Sequence, residues 1–180
     1  MNVQALDVIR HRRTVRHFTA EDVTDNRIET LLEMAMYAPN RLNRQPWRFV
    51  VLRDPSLKED LAHLLRVRPY LEQAPVLVAA CAVPDVSPTW LEDVAASIEN
   101  MLLAAVALDL GGTWIGSPDT YWWGLAEEHL HDKVHIPLDV RVVALIAIGH
   151  PSEMPSPHSP EDRVDQTKIH YGEWGHRHRS

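Results

Sequence analysis

The chain has 180 residues, 45% of them hydrophobic, enough for one domain with a substantial core, and its single cysteine excludes an intrachain disulfide or a cysteine-rich metal centre. A formal charge of −7, from 18 basic and 25 acidic residues, argues against a general nucleic-acid role and makes any local cluster of arginines more informative. With no signal peptide and no apolar run of membrane length, the expectation is one cytoplasmic domain over residues 1–180 with no membrane partner.

In chain order, Asn2 can cap a short helix running to about Arg10, with Val3, Leu6 and Ile9 at helical spacing. Its end delivers Arg10, Arg12, Arg13, Thr14 and Arg16. Guanidinium forks and a short hydroxyl bond suit a phosphate group, and a solvated basic turn is the plainer alternative. Thr24 or Asp25 opens a second helix with Ile28, Leu31, Leu32, Ala35 and Met36 on one stripe. Residues 38–49 then form a polar loop that leads into a strand over 47–52. Pro39 and Pro46 fix φ, and Pro46 is expected to push Gln45 into an extended conformation, holding the amides of Asn43 and Gln45 in set directions. Such amides can read a planar heterocycle, although a polar loop with nothing bound is an even alternative.

Asp54-Pro55 starts a third helix whose Leu57, Leu61, Leu64 and Leu65 face the core. After a break around Pro69 and Tyr70, residues 75–83 are continuously small or β-branched and apolar, which predicts a strand buried on both faces at the centre of a sheet, with Cys81 a buried small hydrophobe. Pro88 opens a long helix to about Leu110. It is apolar all round from Met101 to Leu108, which places it at the centre of the fold or at a subunit interface, and Asn100 at the edge of that zone needs partners. Gly111-Gly112 is expected to end this helix through positive φ. A short strand over 113–116 follows, in which Gly116 either lets a ligand approach the backbone or makes a plain turn.

Tyr121, Trp122 and Trp123 either wall a pocket or anchor a surface helix that runs towards Pro137. Glu128, His129, His131 and His135 lack metal-ligand spacing, so no metal is expected. Residues 140–148 read as the last strand, stopped by Gly149-His150-Pro151. Four prolines between 151 and 160 predict an extended arm able to reach over a neighbour. Beyond it, Arg163 and Lys168 return basic groups, and Ile169, Tyr171 and Trp174 predict a tail that docks, ahead of a solvated end from His176 to Arg179. No repeat, P-loop, GxSxG or GxGxxG is present, and no nucleophile or acid–base pair stands out, so any chemistry would come from a bound cofactor.

The segment His11-Arg12-Arg13-Thr14-Val15-Arg16-His17-Phe18 resembles the RRSVRxF opening of the nitroreductase family of FMN-dependent oxidoreductases. Residues 38–49 resemble that family's APSxxNxQPWxF loop. Glu99-Asn100-Met101-Leu102-Leu103-Ala104-Ala105 and Gly111-Gly112-Thr113-Trp114-Ile115-Gly116 resemble its QNMLLAA…LGxxWIG helix and strand, and Ile146-Ala147-Ile148-Gly149-His150-Pro151 with the tail from Arg163 to Trp174 completes the series in order. The resemblance implies an α+β fold with a central mixed, largely antiparallel sheet flanked by helices. It also implies a homodimer with an extended C-terminal arm over 151–180 and two FMN sites at the dimer interface.

By the same resemblance, Arg12, Thr14 and Arg163 would meet the FMN phosphate, with Arg13 there or paired structurally, and Arg16 would lie near the ribityl chain or the N1/C2=O edge. Asn43 would bond the pyrimidine rim, Asn40 and Arg41 would reach over from the partner subunit, and Ile115 and Gly116 would present backbone near N5. Three positions depart from the pattern: Thr14 replaces serine, Asn40-Arg41 replaces two small residues, and Asp109 replaces glycine. The implied activity is NADH or NADPH oxidation coupled to reduction of a small-molecule acceptor, a nitroaromatic or quinone, by a ping-pong hydride-transfer mechanism. No catalytic side chain is named, since the flavin carries the chemistry, and Tyr121, Trp122 and Trp123 are the candidate substrate wall. Dehalogenation, flavin cleavage, or flavin binding and storage without turnover are the alternatives.

Overall fold

Period-two alternation builds the centre of the molecule. The computed structural model describes residues 5–67, 70–118 and 120–177; the expectations for Asn2, Val3, Pro69, His178 and Arg179 fall outside these. In chain order the elements are α1 (Ala5–His11), α2 (Asp25–Met36), β1 (Trp47–Leu52), α3 (Pro55–Leu65), α4 (Tyr70–Gln73) and β2 (Val76–Ala82). There follow α5 (Trp90–Ala107), β3 (Gly111–Ile115), α6 (Tyr121–Val134), β4 (Arg141–Gly149) and α7 (Pro160–Arg163). The strands make one α+β sheet in the order β1-β2-β4-β3, every pair antiparallel, and the parallel component is the bridge between Thr14 and Gly112.

β2 lies inside the sheet with all its residues buried, as its apolar run predicts. Alternate side chains serve opposite cores. Val76, Val78 and Ala80 pack on one face with α2 and α5, whereas Leu77, Ala79 and Cys81 pack on the other with α3, α4 and α6. Each large aliphatic side chain so buried contributes roughly 1.5–3 kcal/mol. Burial, helped by the charge of Glu127, pushes the Cys81 thiol up to about 12. Helix α3 starts where Asp54-Pro55 predicts, since the Asp54 carboxylate accepts the Leu57 amide (2.8 Å) and Pro55 needs no donor there.

Helix α5 ends earlier than the glycine pair implies. The Leu108 and Leu110 amides return to the carbonyls of Ala104 (3.0 Å) and Ala105 (2.8 Å), and the left-handed turn is made by Asp109, with a φ of 55°. Gly111 and Gly112 are therefore strand residues, which corrects the expectation that they terminate the helix. The apolar half of α5 is only partly covered: Met101, Leu102 and Ala105 are buried, while Leu103 and Leu108 line an open apolar groove with Val8, Ile9, Met34 and Tyr37. Asn100 finds a partner in the Met34 carbonyl (3.3 Å).

Among the described residues no helix is long and apolar enough to cross a membrane. The strip from His17 to Thr19 pins the start of the arm, the Ser152 amide donating to the His17 carbonyl (3.0 Å) and the Thr19 amide to that of His150 (2.9 Å). Further on, the tail does not pack on its own core. Ile169 and Tyr171 are exposed and Trp174 is 90% exposed, stacked on His170 at 4.2 Å.

Candidate functional site

The chain leaving α1 is laid along the edge of the sheet. Thr14 bridges Gly112, the Val15 amide donates to the Gly112 carbonyl (3.1 Å), and Thr113 Oγ1 donates to the Val15 carbonyl. That close approach is why β3 opens on two glycines: a Cβ on Gly111 would meet the Val15 side chain at 2.7 Å, and one on Gly112 would meet Leu102 at 2.6 Å. Arg12, Arg13, Thr14 and Arg16 thus project from a backbone strip of set direction.

Arg12 pairs with Glu99 of α5, Nε to Oε1 at 3.1 Å. The arm comes back to this point. A cleft of about 530 Å³ is lined by Arg10, Arg12 and Glu99 on one side and by His158, Pro160 and Arg163 on the other. The His158 imidazole is held below its ordinary pKa, first by reduced hydration and then by the charges of Arg13 and Arg163. Guanidinium groups brought together around an open cleft fit a phosphate monoester, the end of FMN that the resemblance places with Arg12 and Arg163. Arg16 lies apart from this cluster, exposed, with its guanidinium 6.0 Å from the Tyr70 ring.

At the far end of β3, Ile115 is buried and Gly116 has a φ of 105°. A Cβ on Gly116 would lie 2.2 Å from the Trp123 ring, so glycine is required there by a packed tryptophan as well as by its backbone. Trp123 is 1% exposed and its Nε1 donates to the Val142 carbonyl at 2.7 Å, which makes it a core residue and removes it from the substrate wall. Its two neighbours stay outside: Tyr121 and Trp122 meet edge to face at 5.2 Å, and the Arg66 guanidinium covers the Trp122 ring at 4.0 Å. Of these, Trp122 and Arg66 border a cleft of about 470 Å³ between α3 and α6. His129 turns to Asp60 (3.4 Å) and His131 to the Ile136 carbonyl (2.8 Å), so this helix directs its histidines apart.

The polar loop stands elsewhere. Leu42, Asn43 and Gln45 all have left-handed φ, at 51°, 54° and 49°. Gln45 is therefore not extended, contrary to the bias of Pro46, because two bonds hold it in: its amide donates to Asn40 Oδ1 (2.9 Å) and its Nε2 to Asn43 Oδ1 (2.8 Å). The loop is moored by its backbone, the Arg41 amide donating to Asp93 Oδ1 (3.2 Å). Asp93 is buried in the first turn of α5 and also accepts from Ser87 Oγ (2.7 Å) and Thr89 Oγ1. None of Asn40, Arg41 and Asn43 lines the basic cleft of its own chain.

Three participants escape sequence reasoning. Asp93 carries only the general signal of an acid in a first helical turn, Arg66 that of a residue at a helix end, and His158 that of a position in the arm just before Arg163.

A sequence model described as the nitroreductase family matches residues 9–83 and 65–150. The chain is 30% identical over 175 residues to an Archaeoglobus fulgidus protein provisionally named NADH dehydrogenase/NAD(P)H nitroreductase, covering 95% of this chain and 99% of that one. Among solved structures, a similarly named protein from Bacteroides thetaiotaomicron superposes with a TM-score of 0.87 at 28% identity, covering 97% of this chain and 100% of that one. A provisionally assigned nitroreductase from Desulfovibrio desulfuricans, solved in complex with FMN, gives a TM-score of 0.77 at 30% identity over 88% of this chain and 92% of its own.

Proposed function

The chain belongs to the nitroreductase family, and from that premise we propose that it is a homodimeric FMN-dependent oxidoreductase. NADH or NADPH is the donor, and an electron-poor small molecule such as a nitroaromatic or quinone is the acceptor. The observation that carries the reading is the meeting of Arg12 and Arg163, far apart in sequence, in one open cleft beside Arg13. In this reading Arg12, Arg13 and Arg163 grip the phosphate and Thr14 adds a hydroxyl bond. Arg16 sets a cation at the N1/C2=O edge, where negative charge is stabilised, and Asn43 reads the pyrimidine rim. Ile115 and Gly116 offer backbone near N5.

FMN when bound supplies a ring that accepts hydride from a nicotinamide and passes reducing equivalents to the acceptor. The protein's part is to bind and orient. Donor and acceptor use one site in turn, which gives ping-pong kinetics. Tyr121 and Trp122, with Arg66 over the latter, remain as the candidate substrate wall.

The dimer is supported by three features of the single chain. An apolar groove lies open along α5, the tail's aromatic anchors are exposed, and Asn40, Arg41 and Asn43 do not line the basic cleft of their own chain. A second copy covers the groove and brings its loop to the first copy's cofactor.

The test is anaerobic addition of NADH or NADPH to the FMN-loaded protein. Rapid bleaching of the flavin absorbance is expected. A colourless preparation that takes up no added FMN would overturn the assignment, and FMN uptake without bleaching by either nucleotide would leave a flavin-binding protein rather than this enzyme.

A further inference from the structure

The arm brings a second group to the basic cleft besides Arg163. His158 lines the same opening as Arg10, Arg12 and Arg163, and its ring is exposed on the arm side. The charges around it are specific. Arg13, Arg163 and Arg12 act on it as cations and Asp162 opposes them, while across the opening Glu99 is held by Arg12 (3.1 Å) and Arg10 by Asp7 (3.4 Å). With four arginines against Asp7, Glu99, Glu161 and Asp162, the cluster has no excess of positive charge while His158 is neutral, less than a phosphate dianion needs.

We propose that His158 is a further ligand of the FMN phosphate, and that it takes up a proton as the phosphate enters, which makes cofactor binding proton-linked. The inference rests on the FMN reading of this cleft. An imidazolium adds a charge-assisted donor to the arginine forks and a positive charge that offsets part of the dianion's.

The sign follows from the two states of the cleft. Without phosphate, reduced hydration and the neighbouring arginines hold His158 below its usual value of 6.5. An anion beside the ring raises it. The affinity that His158 contributes is therefore fully present below the phosphate-free pKa and is lost as pH rises through the phosphate-bound pKa. The phosphate's own second ionisation, near pH ~6, works the other way, but it is common to every variant and cancels in a ratio.

The experiment titrates full-length protein, freed of flavin by dialysis, with FMN and with riboflavin between about pH 5.5 and about pH 8, following flavin fluorescence, for wild type and His158→Gln. Glutamine keeps a hydrogen-bond donor at an exposed position of the arm but cannot take a proton. The expected result is an FMN affinity for wild type about tenfold above that of the variant at the acid end, converging at the alkaline end, with no such difference for riboflavin. Calorimetry in two buffers of different ionisation enthalpy is expected to show proton uptake on FMN binding that His158→Gln lacks. A wild-type to variant ratio that is flat with pH, or equal proton uptake by both, overturns the role of His158 while leaving the FMN site standing. Failure of wild type to bind FMN at any pH overturns the underlying reading as well.

Discussion

Asp93 is the residue on which the loop geometry depends. Its carboxylate is buried and accepts from Ser87 Oγ, Thr89 Oγ1 and the Arg41 amide, and the loop it moors contains three residues with left-handed backbone, each of which has an unstrained alternative once released. Asp93→Ala leaves those donors without their acceptor, a cost of about 1–3 kcal/mol in denaturant unfolding. Hydrogen exchange at residues 41–45 is expected to accelerate more than at β2, and uniform acceleration would show that the anchor is general rather than local. Cys81 allows a second measurement at this scale. Buried and with its thiol pushed up to about 12, it is expected to react with a disulfide reagent at neutral pH only as fast as the protein opens, and labelling at the rate of a free thiol would contradict its place in the core.

The end of α5 shows how an element can stop on an unexpected residue. Asp109 takes the left-handed turn with a φ of 55°, although a side chain disfavours that conformation and a carboxylate gains nothing beside the negative end of the helix dipole. Asp109→Gly is therefore expected to stabilise the protein by about 1 kcal/mol, read as a higher midpoint of thermal unfolding with unchanged circular dichroism. A lower midpoint would mean that the aspartate makes a compensating bond. The strands and main helices were legible from apolar runs and stripes, because period and burial are local properties of the chain: β2 reads as a central strand from its residues alone, and it is one. Gly111-Gly112 misled because a glycine pair signals freedom of φ and also permits close packing, and the difference depends on Val15 and Leu102, which lie elsewhere in the chain.

For the whole molecule, the open groove along α5 and the exposed tail leave apolar surface uncovered on the single chain. On the proposed dimer, Leu103→Glu sets a charge in the groove and is expected to yield a folded monomer by sedimentation, with FMN retention reduced at least tenfold through loss of the loop that the proposal assigns to the partner. A dimer that keeps its flavin would show that this face is not the interface. The arginine cluster after α1, the polar loop and the proline-rich arm could all be read in the linear order of residues as candidate binding pieces, and the motif series in that order pointed to the family. Their arrangement could not. That Arg163 and His158 share a cleft with Arg12, that Trp123 leaves the surface to fill the space beside Gly116, and that Asp93 holds Arg41 are arrangements of distant segments. Local patterns specify which face of an element is buried, whereas the packing of the whole chain selects which distant side chains share a cleft, and it does so by maximising burial of apolar surface that many arrangements of the same motifs would leave exposed.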